Sequence, residues 1–186
     1  ARAVAVPLAL SGAAPSYPST QVESTARDAV DQANLKLREM GVGAGAEVGL
    51  TLLSFERGLL SSTAHYQIDI EVADDEGNTE HYALLLQDRL EHGPFPMSRL
   101  TRGQLMPVAA QSHFELERTP LTQKLFDAAA GEVPLVGDVT IGYDGGQAGD
   151  LRTAALNIED EDGSVRIAPA NLNFEANRDG SDVRMD

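Results

Sequence analysis

Residues His65-Tyr66-Gln67-Ile68-Asp69-Ile70-Glu71-Val72 alternate polar and apolar without exception. In an extended chain successive side chains point to opposite faces, so Tyr66, Ile68, Ile70 and Val72 share one side and four polar groups the other. Such a strand needs a core on one face and water on the other. Asp74-Asp75-Glu76-Gly77-Asn78 then reads as a turn, and residues 82–90 as the return strand of a hairpin. Residues 47–55 form a strand upstream, with Arg57-Gly58 as the break, and residues 105–117 a weaker one interrupted by Pro107. Three further turn signals follow at Asp144-Gly145-Gly146, Asp162-Gly163 and Asp179-Gly180. They are flanked by alternating pairs such as Val139/Ile141, Leu156/Ile158, Val165/Ile167 and Leu172/Phe174.

Helices are few. Thr20-Gln21-Val22-Glu23 is a capping box, and Val22, Ala26, Val30, Ala33, Leu37 and Met40 recur at spacings of three and four. This predicts a helix over residues 21–40, closed by Gly41. Thr119-Pro120 with Leu121, Leu125, Ala128 and Gly131 predicts a second helix of about three turns. Because no helix follows each strand in turn, a parallel doubly wound sheet is disfavoured. The expected fold is α+β: an antiparallel meander of about eight strands, with one long amino-terminal helix and one short helix packed on one face. Residues 1–19 read as an extended segment, either the tail of a membrane anchor or a frayed terminus. Residues 20–186 read as a single domain, cut at its carboxyl end just after a strand starts at Val183.

Charge and residue usage exclude several function classes. With 14 Lys and Arg against 29 Asp and Glu, the net charge of −15 works against nucleic-acid binding, which needs clustered cations to displace counterions. The absence of cysteine removes disulfides, thiolate zinc sites and a cysteine nucleophile. His65, His81, His92 and His113 have no metal-ligand spacing, although His65 and His81 could approach each other across the hairpin on its polar face. Glu159-Asp160-Glu161-Asp162-Gly163 fails the EF-hand pattern, because position 12 would be Pro169. Residues 41–45 imitate a phosphate loop but follow a helix and carry no Lys. No cofactor is expected. A serine hydrolase would have to use Ser54, Ser61, Ser62 or Ser112 with His65, His92 or His113, and the chain has no Gly-x-Ser-x-Gly elbow.

At Ser54-Phe55-Glu56-Arg57-Gly58-Leu59-Leu60-Ser61-Ser62, and again at Glu91-His92-Gly93-Pro94-Phe95-Pro96, the chain resembles the YdgA-like family of bacterial envelope proteins, a domain of unknown function. Ser16-Tyr17 and the Gln21-Val22-Glu23 helix start agree in order, and Phe55 stands where the family often has Tyr. The likeness covers residues 17–95. It implies an amino-terminal portion of a longer protein, held by one inner-membrane anchor outside this chain with its bulk in the periplasm. It brings no catalytic residues. Phe55, Arg57, Gly58, His92, Gly93 and Pro94 read as structural: a bend where Gly58 frees the backbone and the Arg57 stem covers apolar surface, then a strand end before Pro94.

The function expected is non-enzymatic: an envelope domain that binds an apolar ligand, such as a lipid, or a protein partner through a sheet face or edge. The alternatives are a serine hydrolase and a plain spacer. Two helices cannot cover a sheet of about eight strands, so a stripe of Tyr66, Ile68, Ile70, Leu84, Leu86 and Ile141 is expected to face a ligand, unless the sheet folds over itself as a sandwich. The carboxyl-terminal strand edge should give weak self-association.

Overall fold

The computed structural model describes residues 46–73, 79–160, 163–177 and 183–185, together with Arg27, Val30, Asp31, Asn34 and Leu35. In chain order the elements are β1 (Ala46–Arg57), β2 (Ser61–Ala73), β3 (Thr79–His92), α1 (Met97–Thr101), β4 (Ala110–Leu116) and α2 (Gln123–Ala128). There follow β5 (Leu135–Ile141), β6 (Gln147–Thr153), β7 (Leu156–Asp160), β8 (Gly163–Ile167), β9 (Ala170–Ala176) and β10 (Val183–Met185). Eight of these strands make one sheet in the order β1-β2-β3-β4-β5-β6-β9-β10, antiparallel throughout, while β7 and β8 form a separate hairpin. The antiparallel meander agrees with the sequence reading.

Register explains why the sheet has one apolar face. Tyr66 lies opposite Leu86, which lies opposite Leu116; Ser112 faces Val139, and Gly149 faces Phe174. Cross-strand partners point to the same side, so the apolar phases of all these strands coincide. In β1 the register shifts between Leu52 and Ser54, which turns Phe55 rather than Ser54 onto the apolar side, opposite Ala64. Two core clusters result: Leu50, Ala64, Tyr66, Leu86 and Leu116 with Phe126 of α2, and Leu90, Ala110, Phe114, Val139, Ile141 and Phe174. Gly137 is required in the second, because the Phe114 ring lies where a Cβ would stand.

The long amino-terminal helix expected over residues 21–40 falls mostly outside the described residues. Its five described members are helical, Val30 is buried in the first cluster, and Asn34 clamps the sheet edge. The Asn34 Nδ2 donates to the Leu50 carbonyl and its Oδ1 accepts from the Leu50 N–H, both at 2.7 Å, so one carboxamide satisfies backbone groups that β2 does not reach.

Two helix expectations need correction. Residues 119–122 are spent on a reciprocal hydroxyl turn: Thr119 N–H donates to Thr122 Oγ1, Thr122 N–H to Thr119 Oγ1, and Thr122 Oγ1 to the Glu117 carbonyl. α2 therefore starts at Gln123 and runs six residues, not three turns. Within residues 105–117, the strand begins only at Ala110, and the preceding connection holds α1. α1 sits on the polar face: Ser98 N–H and Oγ donate to Glu91 Oε2, and Arg99 Nη1 donates to Thr140 Oγ1. The helices thus occupy both faces, α2 on the apolar one. Among the described residues, no helix is long and apolar enough to cross a membrane.

Candidate functional site

The two motifs that stand some thirty residues apart in sequence meet at one corner of the sheet. Arg57, the last residue of β1, lies opposite Ser62, and the Gly58 N–H donates to the Ser61 carbonyl at 2.7 Å to close the turn. A Cβ on Gly58 would stand 2.6 Å from that same carbonyl oxygen, so the turn excludes any side chain there. The His92 N–H donates to the Leu60 carbonyl at 2.8 Å, and the Gly93 N–H to the Ala109 carbonyl. Gly93 adopts φ +82°, a conformation open to glycine, and Pro94 offers its carbonyl to Val108 N–H. Phe55 packs against the first core cluster. Phe55, Arg57, Gly58, His92, Gly93 and Pro94 thus stand together at one corner of the sheet, with Gly93 in the left-handed region and not in the extended geometry that a following proline favours.

The corner also carries polar contacts. Ser62 Oγ and His92 Nε2 are 2.7 Å apart, and Ser62 is buried. Burial first, and the Arg57 charge second, hold the His92 pKa below its ordinary value, so the imidazole is neutral at pH 7. On the same face Asp88 is only 3% exposed and accepts a 2.7 Å hydrogen bond from Ser112 Oγ. Burial pushes its carboxyl up to about 6, against the opposing Ser112 bond and His113 charge. The Tyr66 hydroxyl is buried without a hydrogen-bond partner, and desolvation with the nearby Asp88 charge pushes its pKa well up. Asp88 and His92 are four residues apart along β3, about 13 Å, so Asp88 does not orient the imidazole.

The other histidines lie on the polar face and pair with carboxylates. His65 Nδ1 is 2.6 Å from Glu117 and His113 Nδ1 is 3.0 Å from Asp138, which also takes Arg152. His81 lies opposite Glu71 and 3.3 Å from it, and His65 lies opposite Gln87, so these two histidines do not meet. Among the described residues no three metal-ligating side chains converge. None of the hydrogen bonds described joins a serine to His65 or His113; Ser112 is committed to Asp88.

The six residues of the expected ligand stripe do share the apolar face, but they are not equally open. Tyr66, Leu86 and Ile141 are sealed in the two core clusters, whereas Ile68, Ile70 and Leu84 are half-buried further out. An open cleft of about 430 Å³ lies elsewhere, at the β5–β6 turn, between Thr140, Asp144, Gln147 and Glu175. At the far side of the sheet β10 pairs with β9 at residues 174–176. The β7–β8 hairpin forms its own two-stranded sheet, with β7 close to α2 and with Ile158, Val165 and Ile167 exposed on one of its faces.

The model of a bacterial protein family of unknown function, DUF945, matches residues 1–186. The chain belongs to that family. Similar relatives bear out the YdgA-like resemblance: the chain is 28% identical over 174 residues to Protein YdgA of Escherichia coli K12, covering 91% of this chain and 34% of that protein. It is 28% identical over 128 residues to an uncharacterized protein of Haemophilus influenzae, covering 68% of this chain and 34% of the other. It is 25% identical over 138 residues to the uncharacterized protein YihF of Escherichia coli K12, covering 74% and 28%. This DUF945 chain therefore spans about a third of the length of its curated relatives. No solved structure matches it. Sequence reasoning about the DUF945 chain missed Asp88, although the signal was present: Tyr82, Leu84, Leu86, Asp88 and Leu90 put one carboxylate in an otherwise apolar phase.

Proposed function

We propose that this chain is a non-enzymatic periplasmic binding module of the bacterial envelope, and that a protein partner docks on the exposed apolar face of the β7–β8 hairpin. The observation that carries this reading is that face itself. Ile158, Val165 and Ile167 stand exposed together on a two-stranded sheet separate from the eight-stranded one. Apolar side chains held side by side in the open on one face supply the contact area of an interaction site. A sheet-face ligand is supported less well, since half of the expected stripe is core. The test is amide hydrogen exchange on β7 and β8 as the chain is concentrated to millimolar levels, read beside its sedimentation. Protection of residues 156–160 and 163–167 that grows with association supports docking on this face. A strict monomer with unchanged exchange there removes it. A phosphatase fusion to the longer protein, active only after export, tests the compartment.

One observation favours a second reading. The 2.7 Å contact of Ser62 Oγ with a neutral His92 is the start of a nucleophile–base pair. Against it stand the burial of Ser62 and the lack of a carboxylate among the His92 contacts described. Stoichiometric labelling of Ser62 by a fluorophosphonate would replace the binding-module reading with a hydrolase.

A further inference from the structure

The end of the sheet that carries the motif corner has a chemistry unlike the rest of the chain. Residues 57–62 and 92–109 contain Arg57, Arg99 and Arg102 and none of the 29 acidic residues of a protein with net charge −15. The same two segments hold seven exposed large apolar side chains, of which Leu59, Leu60, Phe95, Met97, Leu105 and Met106 are more than half exposed. Leu59 is 100% exposed and Met106 77%. These side chains are not on loose loops. The Leu60 and Pro94 carbonyls are fixed by the His92 and Val108 N–H groups, the Gly58 N–H is tied to Ser61, and Ser98 is tied to Glu91. The fold holds bare apolar groups outward at the tips of two adjoining connections.

We infer that this end of the sheet docks on the surface of a lipid bilayer containing anionic lipid. Interfacial binding requires apolar side chains that reach the acyl boundary, cations at headgroup level and no carboxylates between them. The two segments supply the apolar tips and the cations and contribute no carboxylate of their own; Glu56 and Glu91 border them, and Glu91 is committed to Ser98. Arg57 is exposed, and Arg102 is half-exposed, with its nearest carboxylate, Asp138, 4.0 Å away. Arg99 is turned to the polar face by Thr140 and leaves those two to meet headgroups. The charge of the remaining chain does not prevent docking at physiological salt, because charges beyond about 8 Å are screened there. Projecting tips suit a fluid bilayer, which needs no matching cavity, better than the walls of a preformed pocket.

The absence of tryptophan makes the test direct. Leu59→Trp places a single reporter at the tip, and Val165→Trp places one on the exposed β7–β8 hairpin as a control. With vesicles of phosphatidylcholine and phosphatidylglycerol at physiological salt, the Leu59→Trp emission should move to the blue and be quenched by brominated lipid, and the Val165→Trp emission should not. Binding should weaken about fivefold per charge when Arg57 or Arg102 is replaced by Gln, and weaken also on pure phosphatidylcholine. Leu59→Asp with Met106→Asp should abolish it while leaving the thermal melt unchanged, since both side chains are exposed. No blue shift, or equal shifts at both reporters, overturns the proposal. So does a dimer in lipid-free solution that the double Asp variant dissociates, which would make a second copy the occupant.

Discussion

Asp88→Asn should make the protein more stable at neutral pH and leave it nearly unchanged in acid. Asp88 stands on the apolar face between Ala64 and Phe114, 3% exposed, with Ser112 Oγ on Oδ1. Burial raises its carboxyl from an ordinary value of 3.8 to about 6. Between those two values the folded chain holds a proton that the unfolded chain has released, so this residue's contribution to stability is present in acid and lost as pH rises through 6. The gap corresponds to about 3 kcal/mol. Asn keeps an acceptor for Ser112 and carries no charge at any pH. Urea midpoints for both proteins from pH 4 to 7.5 therefore provide the assay, since the difference between them cancels every other carboxylate. At an m-value of about 2 kcal/mol/M, the Asn protein should gain about 1.5 M in midpoint relative to the parent across that range. A difference that stays flat refutes buried ionisation. One that shrinks with pH would mean that a partner stabilises the carboxylate.

Other variants test separate contacts. Gly137→Ala drives a methyl into the Phe114 ring and should cost about 1–3 kcal/mol by thermal melting, with part recovered on adding Phe114→Leu. Asn34→Ala unpairs both backbone groups of Leu50; a loss of about 1–3 kcal/mol and faster exchange of the Leu50 amide are expected, and an unchanged exchange rate would show that the clamp is idle. Because burial lowers the His92 pKa, the folded chain resists protonation and loses stability as pH falls through about 6.5; His92→Gln should remove that fall from the melting curve. Ser62→Ala should raise the His92 pKa seen by NMR only if the 2.7 Å contact favours the neutral ring.

The strands were legible because their faces differ. Residues 65–72 alternate cleanly, and β2 pairs with β3 where the Asp74–Asn78 turn signal requires. β6 escaped notice: Gln147-Ala148-Gly149-Asp150-Leu151-Arg152-Thr153 has one large apolar residue, since Gly149 makes room for Phe174 and the neighbouring strands bring the bulk. α1 escaped because it is five residues long and buries none of them, so it leaves no stripe to read. The short α2 was overestimated because a Thr-Pro start signals a helix whether or not the next turn is used by hydroxyls. At the corner, the bend residues were readable locally. The Ser62–His92 contact was not, because it depends on β2 and β3 register across thirty positions.

Thr153 at the end of β6 and Ala170 at the start of β9 are ladder partners, and the Ala170 N–H donates to Thr153 Oγ1 at 3.0 Å. Paired residues in an antiparallel ladder have Cα atoms about 5 Å apart. The chain therefore leaves the sheet and returns to it at one point, and the sixteen intervening positions, 154–169, add nothing to the order of the eight strands. Architecturally the β7–β8 hairpin is an insertion into a finished β6–β9 turn. A two-residue linker could replace it with the ladder intact, so this segment can lengthen, shrink or change its sequence while the sheet that bears it stays the same.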